Sequence, residues 1–161
     1  MAEIAFVGGS EADRKRIAEQ HHNYLTVNAS FDWQGLQPIW SGAPDATFYN
    51  MNGHVYQGRE HWTRLWQYYK TQMQTGEWVP FDMHGTISGD LAVVWCLRKT
   101  RIIWSGNDPR PDERAHKDKP EFTSRSTMVF RREAGADGKP DWRVVHVHFS
   151  EHSTDPRPGG I

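Results

Sequence analysis

Polar and apolar positions in the first third of the chain repeat with a helical period. Ser10, with Asp13 three residues on, marks a helix start: a serine hydroxyl caps free backbone N–H groups and an acid favours the first turn. The pattern predicts a helix over Glu11–Ala29 in which Ile17, His21, Tyr24 and Asn28 share one face. That stripe mixes apolar and polar groups, as a wall of a cavity would. A second, short helix is predicted over Asp32–Trp40, capped by Asp32, before Ser41–Asp45 breaks the chain. Ala46–Met51 and His54–Gln57 read as strands joined by a tight Asn52-Gly53 turn. Gly58–Gln74 reads as a third helix, with Trp62, Leu65, Trp66 and Tyr69 on a buried face and Gly76 ending it.

The period then changes to that of long strands, over Trp78–Ser88, Leu91–Ser105, Phe122–Glu133 and Trp142–Ser150. Gly89-Asp90 separates the first two, and Ala134–Pro140 turns the chain before the last. Gly106–Glu121 is polar and Pro-rich, expected as a long mobile hairpin tip. Helices followed by a run of antiparallel strands predict an α+β fold, a curved antiparallel sheet wrapped round the long N-terminal helix as a cone-shaped α+β barrel. One domain is expected over residues 10–153, with flexible tails at 1–9 and 154–161. One sheet face meets the helices, and the other needs a cover, for which a second subunit is the expected source.

Composition narrows the class. A chain of 161 residues suits a single domain, and eight Trp offset a hydrophobic fraction of only 37%. A net charge of -1 excludes a strongly basic nucleic-acid binder and gives little electrostatic resistance to self-association. A single cysteine, Cys96, excludes an intrachain disulfide and any multi-cysteine metal site. The apolar run Ile4–Val7 is too short for a signal-peptide core or a membrane span. The expectation is a soluble, cytoplasmic homo-oligomer, dimer or higher, with no nucleic-acid or membrane partner.

Two strings carry a resemblance: Thr127-Met-Val-Phe-Arg-Arg132 and Asp141-Trp-Arg-Val-Val-His-Val-His-Phe-Ser150. With the element order, they resemble the nuclear-transport-factor-2-like superfamily, especially its SnoaL-like branch, over Ile17–Ser153. They are similar to the end of the calcium/calmodulin-dependent kinase association domain. Asp45–Gly53 looks like the first-strand segment of ketosteroid isomerases. That likeness puts Asn50 where those enzymes carry the proton-shuttling aspartate, Tyr24 at their oxyanion donor and Phe149 at a pocket-facing aromatic. Their second donor falls near Ser126, which is not a carboxylic acid here. The association domain's pocket arginines match Arg98, Met128 and Phe149, and only Arg98 is kept. The resemblance implies a cavity larger, more aromatic and less cationic than in either relative, with Met128, Val147 and Phe149 facing it.

The candidate chemistry follows from residue type. A buried phenol at Tyr24 can donate to a developing oxyanion, or can bond a backbone carbonyl as a core tyrosine. His21 suits general acid–base work, or sits half exposed at the rim. Asn50 and Asn28 can orient a polar substituent or serve turn and helix-end chemistry. Arg98, in mid-strand, needs a partner: a ligand anion, or an internal pair with Asp82, Asp90 or Glu121. Trp40, Trp62, Trp66 and Trp95 are candidates for a flat-walled aromatic slot. Asp82 and His84 share a strand face, a base with its orienter or part of a subunit interface. His146 and His148 have metal-ligand spacing, but no third ligand is spaced to join them, and they alternate outward from Val147 and Phe149.

No phosphate loop or nucleotide fingerprint is present, so no metal and no cofactor is expected. The reading is a cofactor-independent lyase, dehydratase or isomerase acting on a small aromatic or alicyclic substrate. The resemblance extends it to C–C cleavage of lignin-type aromatic dimers. The alternative is a non-catalytic assembly hub or a carrier of hydrophobic ligands. A polyketide-cyclase-like role would need an acid, for which Asp82 is the candidate.

Overall fold

The Ser10 hydroxyl accepts from the Asp13 N–H and starts α1 (Glu11–Asn28) in a computed structural model that describes residues 3–108, 120–135 and 137–159. The helix is clamped to the last strand along one of its faces. Asp13 accepts from Trp142 Nε1 at 3.1 Å, Arg16 holds both carboxylate oxygens of Asp141, and Gln20 Nε2 donates to the Trp142 carbonyl. These contacts set the rotation of α1, so that Ile17, His21, Tyr24 and Asn28 are buried as their spacing predicts.

A short α2 (Trp33–Leu36) follows, with Asp32 accepting from the Gly35 N–H. It ends four residues before the predicted Trp40, because the chain there is drawn to the last strand: the Val144 N–H donates to the Ile39 carbonyl and the Ser41 N–H to the Val144 carbonyl. Trp40 instead bridges Val144. Strands β2 (Thr47–Tyr49) and β3 (Val55–Gln57) form the expected hairpin, with Gly53 at φ 82° in its turn. Helix α3 (Gly58–Gln72) passes directly into β4 (Met73–Thr75), where a continuing helix is predicted. β4 is extended because it pairs with Ile102–Trp104.

The long strands are β5 (Val79–Ser88), β6 (Leu91–Trp104), β7 (Glu121–Ala134) and β8 (Pro140–Glu151). One further strand, β1 (Ala5–Gly8), lies where a flexible tail is predicted, paired parallel to His84–Ile87 of β5. Among the described residues the sheet is curved and unclosed, in the order β1-β5-β6-β7-β8-β2-β3, with β4 continuing the β5 edge of β6. The predicted hairpin tip lies largely outside the described residues.

Alternation puts Val94, Cys96, Arg98 and Thr100 of β6 on the concave face with Ser124, Ser126 and Met128 of β7. A register shift between Val129 and Phe130 leaves Val145 as an extra residue in β8. Trp142 and Val144 on one side of it and Val147 and Phe149 on the other are therefore all buried. Here the fold is the predicted α+β class. No helix of the described residues is long and apolar enough to cross a membrane.

Candidate active site

A polar row crosses the concave face of the sheet. Cys96 pairs with Ser126, which pairs with Phe149, while Arg98 pairs with Ser124. The α1 stripe of His21, Tyr24 and Asn28 packs in the same interior, and all of these side chains are buried.

Arg98 lies at the centre of this interior with no exposed surface. Its Nη1 donates to Tyr24 Oη at 2.8 Å and its Nε donates to Ser124 Oγ at 3.2 Å. The guanidinium carbon stands 4.4 Å from the Phe149 ring centroid and 4.7 Å from that of Trp78. Nη2 has no hydrogen-bond partner among the described residues. Neither Asp82, Asp90 nor Glu121 reaches it: Asp82 binds His84 and Asp90 binds Arg132 on the outer surface, while Glu121 faces Arg101. Burial pushes the Tyr24 phenol above its ordinary pKa, more than Arg98 opposes it, so Tyr24 stays protonated and the pair carries a net positive charge.

His21 adds a second function to this interior. Its Nε2 lies 3.9 Å from Cys96 Sγ. Burial, with smaller contributions from Arg98 and His22, lowers its pKa to about 4, so the imidazole is neutral at physiological pH and can accept a proton. Burial likewise pushes the Cys96 thiol up, which keeps it uncharged.

Two cavities flank the row, and Trp78 walls both. One, of about 450 Å³, is lined by His21, His22, Leu25, Glu77, Trp78 and Met83. The other, of about 220 Å³, opens among Phe31, Asn50, Asn52, Tyr56, Tyr69 and Trp104. Asn50 thus lines a cavity that Tyr24 and Arg98 do not, and its Nδ2 donates to Tyr69 Oη at 3.0 Å.

The expected aromatic slot does not form. Trp40, Trp62 and Trp66 are buried core, crossing Tyr24 and one another edge to face at angles of 62° to 83°. Trp95 faces out, 42% exposed and stacked on His84, because it has the opposite parity to Arg98 on β6. Asn28, Ser126, Met128, Val147 and Phe149 are buried inside, and Asn28 Nδ2 has no partner among the described residues.

His84 Nε2 meets Asp82 Oδ1 at 2.9 Å on the outer face. His146 Nδ1 donates to the Thr47 carbonyl at 2.8 Å, and no metal-binding group of three side chains occurs among the described residues. Thr100 and Ser124, hydroxyl to hydroxyl at 2.8 Å, complete the Arg98 surroundings and were open to prediction by counting two residues from Arg98 and Ser126. Trp78, Asn52 and Tyr56 carried no such signal, since only tertiary packing brings them to these cavities.

Comparison with known proteins agrees with this architecture. The model of a SnoaL-like domain matches residues 17–154. The chain belongs to the SnoaL-like family. A nuclear-transport-factor-2-like protein of unknown function from Pseudomonas putida superimposes with a TM-score of 0.66 at 21% identity, over 89% of each chain. A superfamily protein from Salmonella enterica serovar Typhimurium gives a TM-score of 0.69 at 16% identity, over 95% of this SnoaL-like chain and 100% of that one. A nominal dehydratase of the same superfamily from Streptomyces avermitilis gives 0.65 at 20% identity, over 90% of this chain and 100% of that one. These likenesses are of fold. No curated protein matches the chain in sequence.

Proposed function

We propose that this SnoaL-like protein is a cofactor-independent enzyme, a lyase, dehydratase or isomerase, that acts on a small aromatic or alicyclic substrate. The observation that carries the reading is Arg98, a wholly buried cation hydrogen-bonded only to neutral hydroxyls, with Nη2 unpartnered among the described residues. Taking a charge out of water costs several kcal/mol when nothing of opposite sign accompanies it. An oxyanion that develops on a substrate would supply that charge at the moment of reaction.

In this mechanism neutral His21 takes a proton from a substrate carbon or hydroxyl. The electron pair moves to the substrate oxygen, which Arg98 Nη2 stabilises with the neighbouring Tyr24 phenol. Return of the proton to a different carbon gives isomerisation. Loss of a hydroxyl, protonated as it leaves, gives dehydration. Cleavage of a C–C bond in a lignin-type dimer is the lyase form. Because Trp78 stacks on Arg98 and walls both cavities, the substrate reaches the guanidinium by displacing that indole. A superfamily neighbour named as a dehydratase is consistent with this class.

The test is a panel of phenolic dimers, cyclic ketones and hydroxy ketones, followed by product analysis. Conversion by the native protein, lost in Arg98→Met and reduced roughly a hundredfold or more in Tyr24→Phe, supports the proposal. Full turnover in both variants overturns the assigned roles. Saturable binding without conversion supports a carrier.

The outer face favours a second reading alongside the first, a homo-oligomer. His84, Trp95, Thr127, His148 and Tyr49 lie side by side across β5, β6, β7, β8 and β2. Trp95 and Tyr49 are 42% and 43% exposed, and a second copy would cover them.

A further inference from the structure

We propose that the smaller cavity is a binding site for a single neutral aromatic ring carrying an acceptor oxygen, an aryl ketone, aldehyde or ether. The assignment rests on the reading of this chain as a protein for aromatic ligands, but it uses a different set of polar groups from Arg98, Tyr24 and His21.

Size comes first. A cavity of roughly 150 Å³ holds a benzene ring, and this one measures about 220 Å³. It has room for one substituted ring. Phe31, Trp78 and Trp104 give it aromatic walls.

Its polar end is set by a chain of hydrogen bonds. The His54 backbone N–H donates to Asn52 Oδ1 at 3.0 Å, which fixes the amide with its oxygen toward the turn and its nitrogen toward the tyrosines. Asn52 Nδ2 then donates to Tyr56 Oη at 2.7 Å and to Tyr69 Oη at 3.0 Å. An amide N–H can only donate, so both phenol oxygens accept here. Asn50 Nδ2 gives Tyr69 a second donor and anchors that end of the chain. Tyr56 keeps its own proton for donation, and partial burial holds its pKa above the ordinary value. A phenol polarised in this way presents O–H to a ligand oxygen.

Charge decides between a neutral acceptor and an anion. Among the described residues no Lys or Arg lines the cavity, and His54 is its one basic side chain. The Asp108 carboxylate, whose charge adds to burial in raising the pKa of the Tyr68 phenol of the same wall, contributes negative charge. A carboxylate ligand would lose its hydration with no Lys or Arg among the described lining residues to replace it, whereas a ketone or ether oxygen needs only the one donor.

The probes are 4-methoxyacetophenone and its anionic counterpart 4-methoxybenzoate, titrated against the full chain by calorimetry and by protein-observed NMR. The ketone is expected to bind saturably, and the benzoate about tenfold or more weakly. Tyr56→Phe, which keeps the ring, is expected to weaken the ketone about tenfold, and Asn52→Leu to do the same by releasing the phenol. Arg98→Met is expected to leave ketone affinity unchanged. Absence of ketone binding, tighter binding of the benzoate, or unchanged affinity in Tyr56→Phe would each overturn the assignment. Loss of ketone binding in Arg98→Met with no change in Tyr56→Phe would move the ring to the Arg98 interior. Turnover that survives Arg98→Met counts against the proposed function alone.

Discussion

His21 and Cys96 face each other across the contact between α1 and β6, Nε2 to Sγ at 3.9 Å, and both are closed off from solvent. Neither partner of that contact is charged at neutral pH, because burial lowers the imidazole pKa and raises the thiol pKa.

A pH dependence of stability follows. The unfolded chain protonates His21 near the ordinary imidazole value of 6.5, and the folded chain does so at about 4. Between those values the unfolded state holds a proton that the native state lacks, so stability falls as pH drops through the window. The loss from this one group amounts to roughly 3 kcal/mol and is complete below the lower value. Urea unfolding measured across this window should show the slope, and His21→Gln should remove most of it. Asp13 acts in a separate range: its bonds to Arg132, chiefly, and to Ser10 hold its carboxyl at about 2, so its contribution is lost only as pH falls from 3.8 through that value.

Arg98→Met should raise stability by roughly 1–2 kcal/mol, or leave it unchanged, while abolishing turnover. A buried charge without an opposite charge is often replaced without loss by an apolar side chain of similar length. Arg98→Ala, which loses the same hydrogen bonds to Tyr24 and Ser124 as Arg98→Met, should instead destabilise because it also leaves a void. Denaturant midpoints of the two variants separate the charge from the volume.

Gly85→Val should release β1 while leaving β6, β7 and β8 intact. A side chain at Gly85 would occupy the space of the Phe6 ring and approach Ile4. Hydrogen exchange is the measurement: Ala5–Gly8 should lose protection, and β6 amides should keep theirs. Ile4 also lines the larger cavity, so that cavity should open in the same variant.

Trp95→Lys should shift the protein to a smaller species in sedimentation, with its melting temperature little changed. Trp95 touches His84 on the outer face and contributes nothing to the interior. An unchanged size would rule out this face as the subunit contact.

The legible parts of the fold were those that local periodicity determines. The stripe of Ile17, His21, Tyr24 and Asn28 follows from helical spacing, and the long strands from alternation. Strand parity alone also separates Arg98 from Trp95, so reading β6 two residues at a time places the tryptophan outside. β1 and β4 were not legible, because Ala5–Gly8 and Met73–Thr75 become strands only through partners distant in the chain. Of the site, sequence pointed to Tyr24 and Arg98 but not to their mutual bond. The Trp78 wall and the Asn52–Tyr56 pair arise from packing that no local pattern encodes.

The isolation of Arg98 has a consequence for ionic strength. Mobile ions screen charges at the surface over about 10 Å in ordinary buffer, but they do not enter a closed interior. An anion held against the buried guanidinium should therefore keep its affinity as salt is raised. An anion attracted only to surface arginines such as Arg101 or Arg125 should be released, and a salt titration distinguishes the two.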